Sequence, residues 1–339
     1  MKKTDYFSAK FENDEFIFLD QTKLPLEEVY VRTDDYERIA IAIERLEVRG
    51  APLIGIAAAY ALALSLKKSL NGNNNDVAFS HAYDRLARTR PTAVNLFFAL
   101  DLIKSVYETQ KNSDNIYQTL LAKAVQIHNE DIQHCKKIGD NGLRIFQKKS
   151  NVLTHCNTGK LATGGAGTAF SVIQTGFEKG LVNYVYADET RPLFQGLRLT
   201  AFELEHSGIP FSVLSDSMAA SLMKDHKVDL VITGADRIAL NGDAANKIGT
   251  YSLAILCNYH DIPFYIAAPS TSIDRSILTG EDIKIEFRDK KEILNPSGHQ
   301  LAPDHYDVYS PAFDVTPSHL IKGIITEEDI FFFPYNFLK

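Results

Sequence analysis

Apolar and polar positions follow two different rhythms along this chain. Near the start, the short runs Phe16-Ile17-Phe18-Leu19 and Val29-Tyr30-Val31, broken by Asp20 and Pro25, predict a small antiparallel sheet. From Asp34 to about Phe146 the apolar residues recur every three to four positions. That spacing predicts helices over 35–46, 52–67, 77–88, 93–108 and 116–138. The polar run at 71–75 (Asn-Gly-Asn-Asn-Asn) predicts an exposed loop. The second half changes to short, almost wholly apolar runs at 152–156, 183–188, 211–216, 229–234 and 263–268, as expected of strands buried on both faces. Helical stretches at 168–179, 193–207, 218–225 and 246–260 separate them. Strand–helix–strand alternation of this kind predicts an α/β fold with a parallel, doubly wound sheet. Two domains are expected, a mainly helical one with a small β-sheet over 1–145 and an α/β one over 146–339.

Composition narrows the partners. The chain has 339 residues, with 36 Lys and Arg against 43 Asp and Glu, and the resulting net charge of −7 argues against a dedicated nucleic-acid binder. A local basic pocket for a small anion stays compatible with that charge. Three cysteines, with no CxxC pair and no HExxH, suggest neither a zinc site nor a disulfide framework. Free thiols fit a reducing compartment, residues 4–15 lack the apolar stretch of a signal peptide, and a cytoplasmic protein is expected. The alanine-rich stretch 51–66 is shorter than the roughly 18 residues a spanning helix needs, so it reads as a buried core helix and no membrane contact is expected.

Several predicted strands deliver a reactive side chain at their carboxyl end, where ligands sit in open α/β sheets: Cys156, Asp188, Asp216 and, just past Gly234, Asp236. Three segments, Arg49-Gly50-Ala51-Pro52, Arg90-Pro91 and Arg191-Pro192, each place an arginine before a proline expected to open a helix. The free N–H groups of such a helix start, joined by a guanidinium, favour a phosphorylated ligand. The stretch Thr163-Gly164-Gly165-Ala166-Gly167-Thr168 lacks the third glycine of a dinucleotide fingerprint. Gly159-Lys160-Leu161 lacks the Ser/Thr of a P-loop, so neither nucleotide reading holds.

Read together, Arg49-Gly50-Ala51-Pro52, Arg90-Pro91-Thr92-Ala93-Val94-Asn95-Leu96, Thr154-His155-Cys156-Asn157, Asp188-Glu189-Thr190-Arg191-Pro192, Gln195-Gly196, Gly234-Ala235-Asp236-Arg237-Ile238, Asn246-Lys247-Ile248-Gly249-Thr250 and Pro311-Ala312-Phe313-Asp314 resemble the methylthioribose-1-phosphate isomerase family. That family is related to regulatory subunits of a translation-initiation nucleotide-exchange factor. The resemblance implies a catalytic Cys156 and Asp236. It implies substrate contacts from Arg49, Gly50, Ala51, Arg90, Gln195, Asn246 and Lys247. It further implies a Rossmann-like C-terminal domain that binds no nucleotide, no cofactor or metal, and a homodimer. One departure stands out: family members commonly carry Gly-Tyr-Gly-Thr-Ala in the glycine-rich loop, and this chain has Gly165-Ala166-Gly167-Thr168-Ala169. The group on C5 of the sugar is therefore open between methylthio and the hydrogen of a 5-deoxyribose. A sugar-phosphate-binding regulatory subunit without turnover is the further alternative.

The implied reaction turns an aldose 1-phosphate into a 2-ketose 1-phosphate. Phosphate on the anomeric carbon prevents spontaneous ring opening, so an acid must protonate the ring oxygen and hydrogen must pass from C2 to C1. A free Asp titrates at about 3.9. Asp236 follows the apolar Leu230-Val231-Ile232, and desolvation there would raise it. Cys135 and Cys257 read as buried core residues. His155 is expected to be structural, turned by strand alternation to the face opposite Cys156. Asp188 and Asp216 are assigned no catalysis.

Overall fold

The computed structural model describes residues 6–67, 75–91 and 93–337. The chain divides into two compact units, Met1–Cys135 with Gly159–Gly167, and Lys136–Thr158 with Thr168–Lys339. The division falls inside a long helix, ten residues before the boundary expected from periodicity, and the glycine-rich loop joins the first unit.

In the first unit β1 (Ala9–Glu12), β2 (Glu15–Leu19) and β3 (Tyr30–Thr33) form an antiparallel sheet in that order. β1 was not among the expected runs, because only two of its four residues are apolar. The hairpin comes instead from Asn13 and Asp14, both left-handed (φ 54° and 58°), as a two-residue hairpin turn requires. Helices α1 (Tyr36–Glu44), α2 (Ala51–Lys67), α3 (Asn75–Ala87), α4 (Val94–Gln110) and α5 (Ile116–Gly142) follow. Asp35 caps α1 by accepting the Glu37 N–H. Every residue of α2 from Leu53 to Leu66 is buried, and α1, α3 and α4 all pack on it. A helix apolar on all sides can be stable only when surrounded in this way. Among the described residues no helix is long and apolar enough to cross a membrane. The expected loop at 71–75 lies outside the described residues except for Asn75, which opens α3.

The second unit runs β4 (Ser150–Thr154), α6 (Ala169–Glu178), β5 (Val182–Asp188), α7 (Ala201–His206), β6 (Phe211–Leu214), α8 (Ala219–Lys224), β7 (Leu230–Thr233), β8 (Arg237–Ala239), β9 (Ala244–Lys247), α9 (Thr250–Tyr259), β10 (Phe264–Ala267), β11 (Ile273–Asp274), β12 (Phe313–Thr316), β13 (Gly323–Ile325) and β14 (Ile330–Phe332). Its main sheet has the order β14-β13-β10-β7-β4-β5-β6, all parallel except β14 at one edge. Neighbouring residues of one strand enter different cores. Val152, Leu230, Ile232 and Tyr265 pack with Phe170 and Ile173 of α6 and Leu204 of α7. Leu153, Val231, Phe264 and Ile266 pack with Met223 of α8 and with Leu253 and Cys257 of α9. Both faces of the sheet are thereby covered, which is why the strands read as unbroken apolar runs.

Two expectations are corrected. The stretch 246–260 is not one helix: Asn246 and Lys247 belong to β9, which pairs with β8 and β12 in a second sheet of order β11-β8-β9-β12, and α9 starts only at Thr250. Pairing with two neighbours overrides the helical spacing of that stretch. Of the three Arg-Pro segments, only Pro52 lies in the first turn of a helix. After Arg90 a turn closes through the Ala93 N–H on the Arg90 carbonyl, and after Arg191 one closes through Phe194 on Thr190, before any helix begins. Proline's fixed φ suits such turn positions as well as it suits a helix start.

Candidate active site

The sheet order reverses direction at β4. From it the chain proceeds to β5 and β6 on one side and to β7, β10 and β13 on the other. The carboxyl ends of the adjacent strands β4 and β7 therefore flank the switch point, where open α/β sheets leave a crevice. Cys156 lies two residues past β4 and Asp236 three past β7. Thr154 Oγ1 ties the two strands together through the Ile232 carbonyl at 2.9 Å. Gly234 lets the two loops approach closely, since a Cβ there would lie 2.8 Å from Thr158 Cγ2.

Cys156 is buried and sits outside the strand in the left-handed region, φ 64°, which is unusual for a side-chain-bearing residue. Such a backbone costs of order 1–3 kcal/mol and persists only where its surroundings hold it. Here the Cys156 N–H donates to Thr190 Oγ1 at 2.8 Å, and Thr200 Oγ1 donates to the Cys156 carbonyl at 2.6 Å. Asn157, next in the chain, donates from Nδ2 to Thr200 Oγ1 and to the wholly buried Glu203 carboxylate. Sequence reading missed Thr190, Thr200 and Glu203. Thr190 was visible as part of the Asp188–Pro192 motif, whereas nothing local marks the other two.

Asp236 is half-buried, and its N–H donates to the Ala245 carbonyl at 2.9 Å. That bond joins it to β9, which carries Asn246 and Lys247. Asn246 Nδ2 donates to Thr250 Oγ1 at 2.9 Å, and that hydroxyl donates to the Lys247 carbonyl at 2.7 Å. Lys247 Nζ donates to the Ala312 carbonyl at 2.9 Å and lies 4.5 Å from the centre of the Phe313 ring. Gln195 is buried, and its Oε1 has no hydrogen-bond partner among the described residues. It precedes a π-helical turn at Gly196–Thr200, where a Cβ on Gly196 would strike the Asp188 carbonyl at 1.7 Å. Arg49, Gly50, Ala51 and Arg90 belong to the first unit. Gly50 has φ 97°, a Cβ on it would meet Ala162 at 2.4–2.6 Å, and Ala51 begins α2. The glycine-rich loop packs in that unit on α5, with Gly164 against His128 and Gly165 against Cys135, and its Gly164 N–H donates to Asp131. Close helix packing accounts for these glycines without a nucleotide. Ala166 is half-buried.

His155, next to Cys156 in the chain, forms a charged cluster with the buried Asp188 and the half-buried Asp216. His155 Nδ1 is 2.9 Å from Asp188 Oδ2, and Nε2 is 2.9 Å from the Ile248 carbonyl. Asp216 accepts the N–H groups of Thr190 at 2.7 Å and Arg191 at 2.8 Å. Ligating atoms of His155, Asp188 and Asp216 lie within 4.8 Å of one another, the spacing of a metal site. Both histidine nitrogens and both Asp216 oxygens already face protein partners, so the cluster reads as a hydrogen-bonded network. Since His155 lies past the end of β4, strand alternation does not set its direction, contrary to the sequence argument. Burial in helices raises the thiols of Cys135 and Cys257 well above their ordinary range, in keeping with core residues.

Residues 47–331 match the model of the initiation factor 2 subunit family. The methylthioribose-1-phosphate isomerase of Caldicellulosiruptor saccharolyticus is 50% identical over 329 residues, covering 96% of each chain. That of Carboxydothermus hydrogenoformans is 49% identical over 328 residues, again 96% of each. The crystal structure of 5-methylthioribose 1-phosphate isomerase from Pyrococcus horikoshii superposes with a TM-score of 0.91 at 40% identity, over 98% of this chain and 94% of that one. A translation initiation factor eIF-2B delta subunit from A. fulgidus gives a TM-score of 0.85 at 37% identity, over 98% and 97%. With matches of this identity running over nearly its whole length, the chain belongs to the initiation factor 2 subunit family and, within it, to the methylthioribose-1-phosphate isomerases.

Proposed function

We propose that this chain converts 5-methylthioribose 1-phosphate into 5-methylthioribulose 1-phosphate, an aldose–ketose isomerisation of methionine salvage. The observation that carries the reading is the pair Cys156 and Asp236, delivered by adjacent strands to the switch point of the sheet. The isomerase names of relatives at 50% and 49% identity favour a methylthio group over hydrogen at C5.

The balance of the reaction assigns the roles. As the bond from C1 to the ring oxygen breaks, that oxygen gains a proton and becomes the C4 hydroxyl. Hydrogen passes from C2 to C1, and the C2 hydroxyl loses its proton to become the ketone. Asp236 is the acid/base that exchanges these protons with the sugar oxygens, and Cys156 assists the transfer at C2. Arg49, the Gly50–Ala51 helix start and Arg90 bind phosphate, with charge-assisted and dipolar donors suited to a dianion. Gln195, Asn246 and Lys247 hold the sugar hydroxyls; the unpartnered Gln195 Oε1 supports this. No metal or nucleotide enters the scheme.

The strand order β6-β5-β4-β7-β10-β13 supports a Rossmann-like, doubly wound description of a catalytic domain over about 146–339, with the helical domain over 1–145 before it. A homodimer is part of the proposal: Tyr251, Ile255 and Tyr259, one helical turn apart, form an exposed apolar stripe on α9 that a second copy would cover. Three thiols in one chain suit a reducing cytoplasm. The deciding experiment incubates the purified protein with 5-methylthioribose 1-phosphate and, separately, 5-deoxyribose 1-phosphate, and follows ketose by NMR. Preferential turnover of the methylthio sugar is expected; no turnover of either would leave a sugar-phosphate-binding regulatory subunit.

A further inference from the structure

His155 precedes the reacting cysteine and has no part in the scheme above, yet it is 1% exposed, as is its partner Asp188. The Ile248 carbonyl can only accept, so Nε2 carries hydrogen. On the other side, Nδ1 faces a carboxylate oxygen, so a proton must lie between Nδ1 and Asp188 Oδ2. With Asp188 ionised, the ring is an imidazolium donating from both nitrogens. The groups that face it agree with that state: Asp188 from β5, Asp216 beyond β6 and Asp314 on β12 are all carboxyls acting on His155. Burial pulls His155 down, but the Asp188 hydrogen bond and charge, with Asp216 and the Ile248 carbonyl, leave it above the ordinary histidine value.

The ring also joins two parts of the proposed site. Toward the thiol, the Asp188 carbonyl accepts from Thr190 Oγ1, which in turn holds the Cys156 N–H. On the opposite side, Ile248 and Gly249 form the turn between Asn246–Lys247 and α9. Gly249 is left-handed, φ 106°, and packs so closely that a Cβ would lie 2.9 Å from His155 Cε1. Asp314 holds this turn from beneath by accepting the N–H groups of Gly249 at 2.8 Å and Tyr251 at 3.1 Å.

We propose that His155 is a positioning residue: a buried imidazolium, clamped between Asp188 and Ile248, that keeps the Cys156 turn and the Asn246–Lys247 turn in one arrangement and sets a fixed positive charge one residue from the reacting thiol. Its catalytic meaning rests on the isomerase reading; its charge state and its effect on the thiol do not.

The test combines two readouts that need no sugar phosphate with one that does. In protein labelled with 15N-histidine, His155 is expected to show two protonated ring nitrogens at pH 7.5; a neutral ring at that pH would overturn the proposal. Iodoacetamide alkylation of Cys156, read by peptide mass spectrometry, reports its thiolate. His155→Gln keeps a donor for Ile248 but no charge, and Asp188→Asn leaves His155 neutral. Either variant should move the alkylation profile to higher pH and lower kcat roughly 10- to 100-fold, with the far-ultraviolet spectrum unchanged. A folded variant with wild-type alkylation and kcat refutes the positioning role. If neither variant folds, the wild-type NMR alone decides. Should the wild type alkylate and protonate as expected but fail to turn over the sugar, the substrate assignment falls and His155 stands.

Discussion

Thr190 holds Cys156 in place: its hydroxyl accepts the cysteine N–H at 2.8 Å while donating to the Asp188 carbonyl at 3.1 Å. One side chain thus satisfies a buried donor on the end of β4 and a buried acceptor on the end of β5. The threonine is 0% exposed, so no water can replace it.

Thr190→Ala should remove the hydroxyl that accepts the buried Cys156 N–H, at a cost of about 1–3 kcal/mol. Thr190→Ser keeps the hydroxyl and should recover most of that. Urea melts of the two variants, beside their kcat, check it: equal stability for both would mean the hydroxyl contributes nothing.

Gly249→Ala should destabilise by about 1–3 kcal/mol, because alanine rarely adopts a φ of 106° and its Cβ would press on the His155 ring. Since that ring borders the Cys156 turn, kcat should fall with it. Alanine at Gly180, also left-handed (φ 74°) but with nothing within 4 Å of its Cβ, should show the backbone cost without the loss of activity.

His155 gives a signed pH dependence. Its native value is raised above 6.5, so the folded state binds its proton more tightly than the unfolded chain. That contribution is complete below pH 6.5 and is lost as pH rises through the higher native value. Asp188, which burial pushes up to about 6 against the pull of His155, acts in the same direction from about pH 4 upward. The wild-type melting temperature should therefore fall as pH rises above 6.5, and His155→Gln should flatten that decline. A parallel slope in both proteins would assign the decline to other groups.

Cys156→Ser and Asp236→Asn should each abolish ketose formation while leaving the melting temperature within a few degrees of wild type. Both replacements keep nearly the size and shape of the original side chain, so the packing around them should be retained. Activity retained in either variant would remove that residue from the proposed proton transfers.

Ile255→Asp, in the middle of the stripe Tyr251–Ile255–Tyr259, should convert a dimeric species into a monomer by light scattering. A wild type that is already monomeric would end the homodimer proposal.

Periodicity alone determined much of this protein. Short apolar runs set between helical stretches located β4, β5, β6, β7 and β10 to within about two residues, because strands covered on both faces must be apolar throughout, whereas the parallel strand β13 was not among the expected runs. Periodicity also marked α2 as a central helix, because a helix apolar on all sides and too short to span a bilayer must be surrounded by protein. The proposed site was legible as motifs: Cys156, Asp236 and the arginine turns each stand where a strand or helix ends. What the sequence could not decide was set by partners distant along the chain. β9 is a strand because β8 and β12 pair with it, although 246–260 reads as helical. The glycine-rich loop belongs with the helical unit because its glycines pack on α5, not because of anything in its own residues. His155 reads locally as an ordinary strand residue. Only tertiary structure places Asp188 and the Ile248 carbonyl on its two nitrogens, and burial of His155 and Asp188 makes the proton between them a feature of the fold.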